Sequence, residues 1–119
     1  MHRVLCFGGR LFRDYQAVHQ VLGQAYGWLG GEFLVIEGEA PGADQMCRRW
    51  AIENGYPLIA MPAPWHKYGK RAGTLRNTWM LVHGKPTYAI GFPGGSGTRN
   101  MIEQLTEAGV PLWLPFKEM

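Results

Sequence analysis

Apolar and polar residues are arranged along this chain in blocks rather than position by position. Five short apolar runs lie at residues 3–7 (RVLCF), 33–36 (FLVI), 57–61 (PLIAM), 87–91 (TYAIG) and 110–114 (VPLWL). Within each run the apolar residues are uninterrupted by charge, which predicts strands covered on both faces, since a half-exposed strand alternates. Between the runs the apolar residues recur at helical spacing. A first helix is expected over residues 15–26, with Asp14 as its N-cap, Gly27 as its stop, and Val18, Val21, Leu22 and Ala25 as its inward stripe. A second is expected over 43–54, ending at Gly55, with Met46, Trp50 and Ala51 inward. A third over 70–83 and a fourth over 98–108 end at Gly84 and Gly109.

Strand and helix therefore alternate from end to end. Right-handed crossovers then give an α/β fold: a three-layer, Rossmann-like open parallel sheet of five strands with helices on both faces. The expected strand order is 3-2-1-4-5. The 119 residues fit one domain, and 46% apolar content suffices for a core. The longest irregular stretch, residues 62–69, has the length of a functional loop or lid.

Glycine changes this picture. There are 17 glycines, with no three-residue period and no serine dilution, so neither a collagen nor a flexible-linker reading holds. Ten of the 17 fall at or after the carboxyl ends of the expected strands. They are Gly8 and Gly9, then Gly38 and Gly42, then Gly69 and Gly73, and finally Gly91, Gly94, Gly95 and Gly97. Open α/β sheets bind ligands at that edge. Glycine there lets backbone N–H groups approach an anion with no Cβ in the way, in front of helix N-termini that carry partial positive charge. The combination predicts a phosphate cradle, drawn most sharply by FPGGSGT at 92–98, where Ser96 and Thr98 can cap the helix or donate to an anion. Neither a GKS/GKT phosphate loop nor a GxGxxG dinucleotide fingerprint is present.

Charge sharpens the expectation. From residue 54 to 102 there is no Asp or Glu, whereas Lys67, Lys70, Arg71, Arg76, Lys85 and Arg99 all lie there. A locally cationic segment favours a phosphate-bearing partner. Arg76 and Asn77 sit about two turns into the third helix, and arginine suits bidentate phosphate recognition. Trp65 and Tyr68, just ahead of Gly69, are placed to stack on a base or to close the core. Gly8, Gly9 and Arg10 complete the first loop. Other chemistries recede. No run approaches a membrane span, and the N-terminal MHRVLCFGGR has no small-residue cleavage pattern, so a signal peptide is not expected. Cys6 and Cys47 form no metal-ligand spacing; buried reduced thiols, a cytoplasmic setting and no metal site are expected.

The four loop motifs are GGRLFRDY (8–15), GEAPGADQMCRRWA (38–51), PAPWHKYGKRAGTLRNTWM (62–80) and FPGGSGT (92–98). Together, in this order, they resemble the SLOG superfamily of Rossmann-like nucleotide-binding proteins, and within it the small YspA-like branch of bacteria and phages. That superfamily includes LOG-type phosphoribohydrolases, nucleotide-sensing or nucleotide-processing proteins and DprA-type DNA-binding proteins. The resemblance implies that Gly94, Gly95, Gly97 and Thr98 hold phosphate, and that Arg76 and Met80 match the LOG R-x-x-x-M helix. The LOG signature PGGxGTxxE carries a glutamate where this chain has Met101, and the branch usually has glycine where this chain has Glu39. A carboxylate stabilises the sugar cation and activates water in N-glycoside cleavage, which Met101 cannot do. Candidate substitutes are Glu37, Glu39 and Asp44, with Glu39 favoured for lying directly after the second strand.

The leading reading is a domain that binds a phosphorylated nucleoside or an NAD/ADP-ribose-type nucleotide, as sensor or processing unit, with the nucleotide as ligand or substrate and no further cofactor required. A second reading is an N-glycosidic hydrolase using Glu39 or Asp44. A third is nucleic-acid binding, against which stand the modest +3 charge and the lack of a long Lys/Arg stripe. Trp28, Trp50, Trp79 and Trp113 are many for a small core. With the dimers common among SLOG proteins, they predict a homodimer.

Overall fold

A computed structural model describes residues 1–63 and 69–116. The strands are β1 (His2–Phe7), β2 (Phe33–Glu37), β3 (Leu58–Ala60), β4 (Tyr88–Gly91) and β5 (Leu112–Trp113). The helices are α1 (Tyr15–Leu29), α2 (Ala43–Glu53), α3 (Ala72–Gly84) and α4 (Ser96–Ala108), with a single 3₁₀ turn, Gly69–Arg71, leading into α3. All strand pairs are parallel, and the order is β3-β2-β1-β4-β5, as the alternating pattern predicts. The two edge strands are the shortest, which limits the unpaired backbone they present.

Strand side chains alternate between two cores. Val4 and Cys6 of β1, with Val35 and Ile90, face α1 and α2; Leu5 and Phe7, with Ile36 and Ala89, face α3 and α4. On the first side the expected stripe Val18, Val21, Leu22 and Ala25 is buried. Ala51 and Trp50 of α2 are buried too, and Met46 is half-buried against them. Trp50 stacks on Tyr56 at 5.0 Å and meets Phe33 edge-on at 5.9 Å, so this tryptophan belongs to the core. Trp28 and Trp79 remain 57% and 63% exposed, and Trp28 leans on the half-buried Trp113 at 4.6 Å. Both cysteines are buried, and burial pushes the Cys47 thiol up.

Several boundaries differ from the sequence expectation. Helix α1 runs through Gly27 to Leu29, because Leu29 packs on the core and Trp28 on Trp113; Gly30, in the left-handed region at φ 64°, closes it. Helix α3 runs through Gly84 as well. Lys85 takes the left-handed C-cap turn at φ 49°, and Pro86, which cannot continue the helix, follows it. Gly84 instead packs its bare Cα near Ile36, and its carbonyl accepts a 2.6 Å hydrogen bond from Arg3 Nε. Helix α4 begins at Ser96 rather than at Thr98, with Gly95 in the N-cap position. Strands β3 and β5 are trimmed at both ends.

The Trp50 ring fills the α2 side of the core among Phe33, Tyr26 and Tyr56. Trp50→Ala is expected to lower stability by about 3–5 kcal/mol in urea unfolding, the usual cost of emptying a buried aromatic site. A loss below about 1 kcal/mol would contradict this packing.

Candidate functional site

The chain order reverses between β1 and β4, so the loops that leave their carboxyl ends diverge and open a crevice. The walls of that crevice are set by backbone contact. Gly9 N–H donates to Pro93 O at 2.9 Å, and Gly9 O accepts from the N–H groups of Phe12 (3.3 Å) and Ala43 (3.1 Å). One peptide thus ties the loop after β1 to the loop after β4 and to the start of α2. A Cβ on Gly9 would lie 2.6 Å from Pro93 O, and one on Gly94 would strike Thr98 Oγ1 and lie 2.7 Å from Gly9 N. Gly94 and Gly9 therefore meet backbone to backbone. Gly95 and Gly97, in contrast, have nothing within 4 Å of a hypothetical Cβ. Gly95 holds the N-cap position of α4 in place of Ser96 or Thr98, and among the described residues no side-chain cap hydrogen bond closes its first turn. The N–H groups of that turn and its partial positive charge are directed to a cavity of about 500 Å³.

Helix α3 supplies the opposite wall. Arg76 is half-buried and lies against the end of β2, where its Nη1 donates to Gly38 O at 2.8 Å. Its Nε donates to Asn77 Oδ1 at 3.1 Å. Asn77, only 3% exposed, passes its own Nδ2 protons to Gly97 O (3.2 Å) and Asn100 Oδ1 (3.1 Å). Gln104 continues the chain by donating to Asn100 and accepting from Thr78. Asn77 is thus the clamp that fixes the start of α4 relative to Arg76. Burial lowers the Arg76 pKa from its ordinary value, and the facing Asp44 carboxylate opposes that shift.

Gly38 is where the arginine fits. A Cβ there would collide with the Arg76 guanidinium and lie 3.0 Å from Asp44 Oδ2, so the cation and the carboxylate face each other across a bare Cα. Asp44, in the first turn of α2, is 4% exposed and lines the cavity. Burial pushes its carboxyl up to about 6, while Arg76 and the backbone N–H groups of Ala40 and Gly38 pull it back. The floor is apolar: Phe7, Met80 and Met101 all line it, Met101 at 1% exposure.

Glu37 ends β2 on the other side of the same loop. Its Oε1 accepts from Glu39 N–H at 2.7 Å, but its Oε2 is buried with no hydrogen-bond partner and sits 3.7 Å from Arg48 Nη1. Burial pushes this carboxyl up to about 7. Glu39 itself adopts a left-handed backbone at φ 58° and pairs with Arg48 at 2.7 Å.

The crevice brings together Gly8, Gly9 and Arg10 from the first loop, Asp44 from α2, Arg76 and Asn77 from α3, and Gly95, Ser96, Gly97 and Thr98 from α4. Other candidates stand back from it. Gly94 supports the loop from behind, Gly38 seats Arg76, and Gly42 packs at the N-cap of α2 against the carbonyls of Gly9 and Arg10. Gly69 starts the 3₁₀ turn at φ 58° and does not line the cavity. Glu39 does not line it either, its carboxylate being turned to Arg48. Trp65 and Tyr68 lie outside the described residues. The cavity also includes Leu11, Ala40 and Thr74, which fall within three of the four loop motifs but are not singled out there as site residues. Leu11 is 87% exposed at the rim.

The raised carboxyls make a pH prediction with a definite sign. Between its ordinary 4.5 and about 7, Glu37 holds a proton in the fold that the unfolded chain releases, so stability falls as pH rises through that window. Asp44 adds the same sign between 3.8 and about 6. Urea unfolding from about pH 5 to about pH 8 should show a loss of about 4 kcal/mol in the wild type. In Glu37→Gln the loss should end near about pH 6, where Asp44 has finished titrating. An unchanged slope above pH 6 in the variant would contradict the burial of Glu37.

Known proteins resemble this chain over most of its length. The sequence pattern described as YAcAr, the YspA, cpYpsA-related SLOG family, matches residues 2–68. The Gene 61 protein of Mycobacterium phage D29 is 33% identical over 119 residues, covering 94% of this chain and 94% of its own. With the parallel order β3-β2-β1-β4-β5 beneath these matches, the chain belongs to the YspA, cpYpsA-related SLOG family.

Proposed function

We propose that the crevice binds a phosphorylated nucleoside or an NAD/ADP-ribose-type nucleotide, with a phosphate seated on the first turn of α4. The observation that carries this reading is the open N-terminus of α4, with no side-chain cap hydrogen bond among the described residues, facing a cavity of about 500 Å³. The half-buried Arg76 stands on the opposite wall, tied to Gly97 through Asn77. Helix N–H groups and a partly desolvated guanidinium are the groups that bind phosphate most strongly. The apolar floor of Phe7, Met80 and Met101 suits a nucleoside face and keeps bulk water from weakening those contacts. Membership of the SLOG family agrees with a nucleotide-related role.

A hydrolytic reading draws on a different observation. Asp44 is a carboxylate in the cavity whose burial raises its pKa to about 6, within reach of general-acid work near neutral pH. Met101 occupies the position where the LOG signature has its glutamate, so any glycosidic cleavage would run through Asp44 rather than there. Appearance of free base on long incubation with a nucleoside monophosphate, abolished in Asp44→Asn, would favour hydrolysis over binding alone.

Binding is checked by titration calorimetry with AMP, ADP-ribose and NAD. At least one should bind the wild type. Arg76→Ala should weaken that ligand by about 10-fold or more, as expected for loss of a charge-assisted contact. Failure of all three ligands to bind, or an Arg76→Ala affinity equal to wild type, would overturn the reading.

A further inference from the structure

The crevice is furnished almost entirely for an anion, and its one carboxylate among the described lining residues is out of keeping with that. The α4 N-terminus, Arg76 and Arg10 all favour negative charge. Asp44 sits beside them at 4% exposure, where an acceptor-only group repels a phosphate rather than binding it. Whatever part of a ligand lies against Asp44 must donate hydrogen bonds.

The positions of the groups say which part that is. Asn77 joins Arg76 to Gly97 at the head of α4, and Arg76 in turn faces Asp44 across Gly38. Along the crevice the order is therefore α4 N-terminus, Arg76, Asp44. A phosphate on α4 places the sugar that carries it next in line, ahead of the base. A ribose presents two adjacent hydroxyl donors, and a carboxylate can receive both. Asp44 has capacity for them: an ionised carboxylate accepts about four hydrogen bonds, and backbone N–H groups of Ala40 and Gly38 already orient this one.

We infer that Asp44 makes the crevice selective for phosphorylated sugars with a free vicinal diol, accepting hydrogen bonds from the two hydroxyls while the phosphate rests on α4. The ligand class is thereby narrowed from nucleotides at large to ribonucleotides and ribose phosphates, against deoxynucleotides and simple polyphosphates. This inference rests on the nucleotide reading of the same crevice, and it concerns only what lies beyond the phosphate.

The test is calorimetry of wild type and Asp44→Asn with AMP, 2′-deoxyAMP, ribose 5-phosphate and pyrophosphate. Wild type should prefer AMP to 2′-deoxyAMP by about 10-fold or more, equivalent to about 1.4 kcal/mol, and should bind ribose 5-phosphate. Asp44→Asn should reduce that preference to about 3-fold or less while pyrophosphate and 2′-deoxyAMP bind as well as before or better, since a negative charge has been removed. Wild-type affinities for AMP and 2′-deoxyAMP within about 2-fold would overturn the inference and leave phosphate binding standing, with no appeal to a variant's folding. Equal weakening of every ligand in Asp44→Asn would also overturn it, because it would make Asp44 only a support for Arg76. If none of the four ligands binds wild type, this inference falls, and the nucleotide reading falls with it when ADP-ribose and NAD fail to bind as well.

Discussion

Seating a charged guanidinium against the end of a buried sheet is the constraint on which the rest of the crevice depends. Arg76 gives up solvent there, and such a group is tolerated only with hydrogen bonds and a counter-charge in place. Gly38 supplies both the carbonyl that accepts from Nη1 and the missing Cβ that makes room. Asn77 accepts from Nε through its Oδ1 and directs its own donors to Gly97 and Asn100, so the same contact that satisfies Arg76 also holds the first turn of α4 in register. Asp44 provides the facing negative charge and is itself kept buried by the arrangement.

The sheet order explains why these groups can meet at all. β1 and β4 are neighbours, yet the chain leaves β1 toward α1 on one face and leaves β4 toward α4 on the other. The departing loops are joined at their base by the Gly9–Pro93 hydrogen bond and the bare contact of Gly9 with Gly94. Met80 and Met101 seal the floor from below. The result is a site with a rigid polar rim and a dry bottom, in which electrostatic contacts retain more of their strength than they would in water.

Much of this was legible in the chain. The uninterrupted apolar runs gave way to helical spacing regularly enough to fix the sheet order, and the stripe Val18–Val21–Leu22–Ala25 was read as it stands. The glycine edge also announced the crevice, since Gly8, Gly9, Gly95 and Gly97 line it. The failures have physical causes. Gly27 marks a stop in the sequence, but packing of Leu29 and Trp28 carries α1 on to Leu29, whereas α3 does end at Gly84, one residue before its left-handed cap. Adjacency to the end of β2 is visible in the sequence for Glu39, but side-chain direction is not: Arg48, nine positions on, draws Glu39 away from the cavity that Asp44 lines. That Gly38 is a seat for Arg76, a residue 38 positions distant, has no local signature in sequence.

The central claim is that the first turn of α4 is where phosphate sits. Amide ¹H–¹⁵N NMR during titration with AMP tests it most directly. The account predicts that the largest shifts fall on the backbone amides of Gly95, Ser96, Gly97 and Thr98, accompanied by the Arg76 side chain. Saturable shifts confined to other surfaces, such as the exposed face of α3 around Trp79 and Val82, with residues 95–98 unmoved, would contradict it.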